Sequence, residues 1–186
     1  MPQQFLKKTR ENILTTTPIF TVVEKEYENV NFKPVGLNSK DWVMVIAKDS
    51  NESNPVCVFV KQTRWGWEHS SVEFPCGTAE EGEDLYDVAA REFLEETGIK
   101  VSPNSLVEVA AYNVNPAFLN NTMHIFMFTD KGLIQKFLEK SKQQLDEHED
   151  CEVFIARLDT QEVLLKKHAN GNIAVNLIKH LEDRNV

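Results

Sequence analysis

The chain has 186 residues, 41% of them hydrophobic, and sets 29 Asp and Glu against 20 Lys and Arg for a formal net charge of −9. That length supports one domain with a core of its own and a small terminal extension, and excludes two full domains. The acidic balance excludes nonspecific binding to nucleic acid or to an anionic membrane, both of which need a basic surface.

Met1 to Leu14 holds Lys7, Lys8 and Arg10 but no continuous apolar core. No later run approaches the roughly 18 apolar residues of a membrane span, so a soluble, unexported, cytoplasmic protein is expected. Cys57, Cys76 and Cys151 are odd in number and far apart, which favours reduced thiols over a disulfide framework or a zinc knuckle.

In chain order, Ile19 to Val23 and Trp42 to Ala47 read as strands, and the turn-rich Asp49 to Pro55 leads to a third, Val56 to Val60, which makes a hairpin with the second. Trp65 and Trp67 flank Gly66, where an indole can either stack on a nucleobase or anchor a loop. After the segment Gly77 to Ile99, three more β-rich runs follow: Leu106 to Ala111, His124 to Thr129 and Val153 to Ala156. The middle one is nearly all apolar, as a strand covered on both faces should be. Lys136, Lys140 and Lys142 read as a solvated face. The five histidines show no ligand spacing, although His148 lies between Glu147 and Glu149. Ile173, Leu177, Ile178 and Leu181 form an apolar stripe on a closing helix, suited to packing on a sheet. An α/β (α+β) fold is expected, with a mixed sheet between helices.

The segment Gly77 to Ile99 carries the chemistry. Leu85, Val88, Ala89 and Phe93 recur at helical intervals, and Gly98 suits a left-handed cap at the helix end. Glu92, Glu95 and Glu96 are three and four residues apart, so their carboxylates share one face. Two like charges about 4 Å apart cost roughly 4 kcal/mol at an effective dielectric near 20, so the cluster invites a counter-charge. Hard oxygen ligands favour Mg2+, with Mn2+ as a substitute. Arg91 lies four residues before Glu95 and can brace it. Gly77 lets the backbone come close, so that the Cys76 carbonyl can add a metal ligand.

Gly77, Glu83, Arg91-Glu92-Phe93-Leu94-Glu95-Glu96 and Gly98-Ile99 match the signature of the Nudix hydrolases at every fixed position, with Phe93 in an aliphatic slot. Lys61-Gln62-Thr63-Arg64 and Glu73-Phe74-Pro75-Cys76-Gly77 resemble stretches of the ADP-ribose and nucleoside-diphosphate-sugar pyrophosphatases. So does the acidic run Leu145 to Val153. The resemblance implies the Nudix α/β/α sandwich, with residues 1–36 as an N-terminal β extension that supports a homodimer and 37–186 as the hydrolase domain. It implies Glu92, Glu96 and Glu149 as ligands of Mg2+, Glu147 as the catalytic base with Glu95 as its rival, and Arg64 on the substrate diphosphate near Glu73 and Gly77. Glu83, Arg91 and Gly98 are its structural members. The loop Asn115 to Asn121 departs from the Ser-Pro-Gly and acidic residue usual in ADP-ribose pyrophosphatases, which widens the expected substrates to nucleotide sugars generally. The rival activities are hydrolysis of nucleoside triphosphates or dinucleotide polyphosphates, and a non-catalytic Nudix-fold nucleotide sensor.

Overall fold

A computed structural model describes residues 6–49, 55–66, 68–145, 150–160 and 169–183, with side chains in the last segment described over 174–181. Its first three strands, β1 (Lys8–Thr16), β2 (Phe20–Tyr27) and β3 (Val35–Ser39), form an antiparallel sheet in the order β1-β2-β3. Two residues later the chain enters β4 (Trp42–Asp49), which belongs to a second sheet.

That sheet has seven strands. β5 (Val56–Arg64), β6 (His69–Glu73), β7 (Cys76–Thr78), β8 (Val107–Tyr112), β9 (Met123–Asp130) and β10 (Cys151–Arg157) join β4 in the order β10-β5-β4-β9-β8, with β6 on β5 and β7 on β4. β4 and β9 run parallel from Trp42↔Met123 to Asp49↔Asp130, whereas β10 and β5 are antiparallel. The sheet is therefore mixed.

Helices cover both faces. On one, Val88, Ala89 and Phe93 of α1 (Leu85–Thr97) and Leu133 of α2 (Leu133–Leu138) pack on Val43, Val45, Ala47, Phe126 and Phe128. On the other, Ala174, Val175 and Ile178 of α3 (Ala169–Asp183) pack on Met44, Ile46, Phe59 and Ile125. Alternate residues of β4 and β9 thus enter opposite cores, which explains why both strands read as apolar runs rather than alternations. This is the α/β/α sandwich expected from the sequence.

Some details differ from that expectation. β2 runs on to Tyr27. β1, β3, β6 and β7 have no counterpart among the strands read from the sequence; β1, KTRENILTT, is exposed at all but one position and has no apolar side to reveal it. In α3 the buried positions are Ala174, Val175 and Ile178, while Leu177 and Leu181 are half-buried. Of the expected stripe, Ile178 is buried, and Leu177 and Leu181 lie at the margin of the packed face; the side chain of Ile173 lies outside the described residues.

The ends of α1 have clear local causes. Asp84 caps the start, its carboxylate accepting from the N–H groups of Tyr86 at 2.9 Å and Asp87 at 3.3 Å, which satisfies two donors that the helix leaves open. Gly98 ends it at φ 72°, donating to the Leu94 carbonyl at 2.8 Å. A Cβ at Gly98 would collide with the Ser141 carbonyl, so conformation and space both demand glycine.

Phe93 is fully buried and meets Phe128 edge-on, ring centroids 5.4 Å apart. Phe93→Ala should lower unfolding free energy by about 3–5 kcal/mol in urea melts, as for other large core truncations; a loss under about 1 kcal/mol would mean that α1 does not depend on this contact.

Candidate active site

The site forms where β7 meets one face of α1. β7 pairs with β4 through Trp42↔Thr78, Val43↔Gly77 and Met44↔Cys76. From that position the Cys76 N–H donates to Glu96 Oε2 at 2.9 Å. Glu96 is 5% exposed, a buried acid held by a backbone donor, which is how such a carboxylate can be kept out of water. Gly77 allows the approach: a Cβ there would fall on the Glu92 carboxylate. A side chain at 77 would therefore displace the Glu92 carboxylate from its place.

Arg91 ties the acidic groups together. Its Nη1 donates to Glu92 Oε1 at 2.8 Å and Glu95 Oε2 at 3.1 Å, and its Nη2 to Glu83 Oε2 at 3.3 Å. Spacing alone pointed to Glu95; the guanidinium holds Glu83 and Glu92 as well. Burial works against the Arg91 charge, but Glu92, Glu95 and Glu83 overcome it and raise its pKa. Glu83 in turn accepts the Glu80 N–H at 2.8 Å. That backbone bond, with Arg91 next, holds the Glu83 carboxyl below its ordinary pKa.

A second cation stands on the β5–β6 hairpin. Arg64 Nε donates to Glu73 Oε1 at 2.9 Å, its Nη2 reaches Glu73 Oε2, and Ser71 Oγ donates to the same carboxylate. The bond to Glu73 outweighs burial and raises the Arg64 pKa, so the guanidinium stays charged. Arg64 Nη2 also lies 3.5 Å from Cys76 Sγ. Burial first, then the Glu96 charge, pushes the Cys76 thiol well above its usual pKa, which keeps it neutral.

These groups line a single cavity of about 850 Å³, which Arg64, Glu73, Cys76, Gly77, Glu83, Arg91, Glu92, Glu95 and Glu96 all border. Trp65 is 75% exposed and does not line it. Trp67, Glu147, His148 and Glu149 lie outside the described residues. The segments beside the acidic run are anchored near the site: Gln144 N–H donates to the Glu95 carbonyl at 2.8 Å, Thr63 Oγ1 to Asp150 at 3.4 Å, and Cys151 is in register with Gln62. Trp42, Gln62 and Asn121 also border the cavity, although none is among the site residues expected from the sequence. Trp42 carried only a strand signal, and Asn121 becomes a neighbour through pairings about 80 residues apart in sequence.

The carboxylates and the backbone of β7 are hard oxygen donors of the kind Mg2+ prefers, and the space left by Gly77 is filled by one of them. Among the described residues, no three His, Cys, Asp or Glu side chains form a group that could by itself hold a metal ion. Among the described residues, no helix is long and apolar enough to cross a membrane.

Residues 38–176 match the NUDIX domain. The ADP-ribose pyrophosphatase of Bacillus subtilis (strain 168) is 28% identical over 160 residues, 83% of this chain and 82% of that protein. The methanol dehydrogenase activator of Bacillus methanolicus is 30% identical over 161 residues, 82% of each. Among solved structures, a crystal structure of an ADP compounds hydrolase superposes with a TM-score of 0.71 at 20% identity, covering 99% of this chain and 98% of that one; at that identity the likeness concerns the fold.

Two outcomes follow from the geometry. Gly77→Ala should leave the circular dichroism spectrum native but lower hydrolytic kcat/KM by about a hundredfold or more, because displacement of about 1 Å at a site can cost that much; near-normal activity would show that the approach of β7 to α1 is dispensable. The Cys76 thiol should react with iodoacetamide at about pH 8 far more slowly than a free cysteine, followed by mass spectrometry, because little thiolate is present; labelling at the free-cysteine rate would contradict that environment.

Proposed function

The chain belongs to the Nudix family and is a hydrolase of pyrophosphate bonds; on that premise we propose that it cleaves a nucleoside diphosphate sugar to a nucleoside monophosphate and a sugar phosphate, with Mg2+ as cofactor. The observation that carries this reading is a charged, Glu73-braced Arg64 in the same cavity as the acidic face of α1. A planar guanidinium matches two phosphate oxygens at once, so it suits a diphosphate between two larger groups. The name of the Bacillus subtilis relative makes ADP-ribose the first substrate to test.

Glu92 and Glu96 would hold the ion, with Glu149 and the Cys76 carbonyl as further ligands and Glu95 beside them. Mg2+, when bound, neutralises phosphate charge and lowers the pKa of a coordinated water. Arg64 would orient the diphosphate, Glu73 and Ser71 would keep the guanidinium fixed, and Arg91 with Glu83 would keep the α1 carboxylates in one arrangement. Glu147 would accept the proton of the attacking water; the anchoring of Gln144 and Asp150 beside the cavity supports that role. Glu95 is the rival base, within the helix itself. Exposed Leu6, Ile13, Leu14, Ile19 and Phe32 on and around the N-terminal sheet support a homodimer formed through residues 1–36, since unpaired apolar surface favours association.

Product analysis after incubation with Mg2+ and ADP-ribose, GDP-mannose, UDP-glucose, diadenosine polyphosphates and nucleoside triphosphates tests the reading. Monophosphate plus sugar phosphate from a nucleotide sugar is expected; turnover confined to triphosphates or dinucleotide polyphosphates overturns it. Glu147→Gln should lower kcat about a thousandfold with KM little changed, and Glu95→Gln much less. The reverse ranking would move the base to the helix.

A further inference from the structure

Beyond its glutamates and Arg64 the cavity is also bordered by Trp42, Val114, Leu119 and Asn121, with Lys40 near Asn121. Asn121 is 8% exposed, its Nδ2 donates to the Lys40 carbonyl at 2.8 Å, and its Oδ1 is buried with no hydrogen-bond partner among the described residues. The bond to Lys40 fixes the amide, because a flip would set oxygen against oxygen. Residues 113–122, which carry Asn121, are braced. Asn113 Nδ2 donates to the carbonyls of Leu119 at 2.7 Å and Asn121 at 2.9 Å, Ser39 N–H donates to Asn120 Oδ1 at 3.0 Å, and Thr122 N–H donates to Asp41 Oδ1 at 2.6 Å. Gln62 on the same cavity likewise has a buried Nε2 with no hydrogen-bond partner among the described residues.

A buried acceptor on a braced loop is unfavourable until a donor meets it. A neutral oxygen is also the acceptor best suited to this cavity: a carboxylate at 121 would add charge to a surface already bordered by six glutamates, against an anionic substrate. We propose that Asn121 is a specificity-determining residue. Its Oδ1 accepts a hydrogen bond from a neutral donor, an amine or a hydroxyl, on the base or the distal sugar of the nucleotide sugar, and Trp42 borders the same cavity. This rests on the reading of the cavity as a nucleotide-sugar site. The oxygen is screened from bulk water, so the donor reaches it with a local shift of the loop wall, and solvent does not compete for the bond once made.

The donor has two possible sources, the exocyclic amine of the base and a hydroxyl of the distal sugar, and substrate analogues separate them. The full chain with Mg2+ is assayed on ADP-ribose, on its hypoxanthine counterpart, which lacks the amine, and on a distal-ribose deoxy analogue. The wild type should turn over one of the two analogues with kcat/KM at least about tenfold below that for ADP-ribose, as expected where a buried polar group loses its partner. Asn121→Ala should lose a similar factor on ADP-ribose and none on that analogue. Equal wild-type kcat/KM on all three substrates overturns the assignment whether or not the variant folds. An equal loss on all three in Asn121→Ala overturns it too, because it assigns Asn121 a purely structural role. Wild type inactive on every nucleotide sugar overturns the underlying reading, and this assignment with it.

Discussion

One guanidinium organises the acidic half of this molecule. Arg91 meets Glu83, Glu92 and Glu95 at 3.3 Å or less, so a surface that would repel itself is held in a single arrangement. The half-exposed position of Arg91 means that each pair alone contributes little to stability. Its value lies in geometry. Three carboxylates joined by one planar fork cannot swing independently, a restraint that the ligand set proposed for Mg2+ needs. The same bonds tie the loop carrying Glu83 to the helix carrying Glu92, so the two halves of the motif move as one unit.

The second constraint is the closeness of β7 to α1. The sheet fixes β7 through its pairing with β4, and the core fixes α1 through Phe93 and Val88. Glycine at 77 and the Cys76 N–H bond to Glu96 fill the remaining gap. Packing several residues from the cavity therefore sets the position of the carboxylates within it. The cavity carries an acidic face, a half-exposed cation at Arg64 and the indole of Trp42. In a chain of net charge −9, that division lets an anionic phosphate group find compensation locally while the rest of the substrate meets neutral surface.

Much of this was legible in the sequence wherever a local rule acted alone. The bounds of α1 follow from Asp84 and Gly98, its buried face from the spacing of Val88, Ala89 and Phe93, and the central strands β4 and β9 from unbroken apolar runs. The bond between Arg91 and Glu95 follows from helical spacing; the bonds to Glu83 and Glu92 depend on how the preceding loop folds back, which spacing does not encode. β1 was invisible because a nearly all-exposed strand carries no alternation, and β7 because three residues are too few to show a period. Trp42 and Asn121 reach the cavity through the parallel pairing of β4 with β9, a contact between segments about 80 residues apart. Trp65, which the sequence left between stacking on a base and anchoring a loop, is exposed, so it is not a buried anchor.

Uptake of Mn2+ followed by electron paramagnetic resonance of the free ion, with Mg2+ as competitor, tests most directly whether the α1 carboxylates hold a divalent cation. Wild-type protein should bind Mn2+ in competition with Mg2+, and Glu92→Gln or Glu96→Gln should weaken binding by at least about tenfold, as loss of a ligand to such a site does. Unchanged uptake in both variants would contradict the assignment of the cation to this helix.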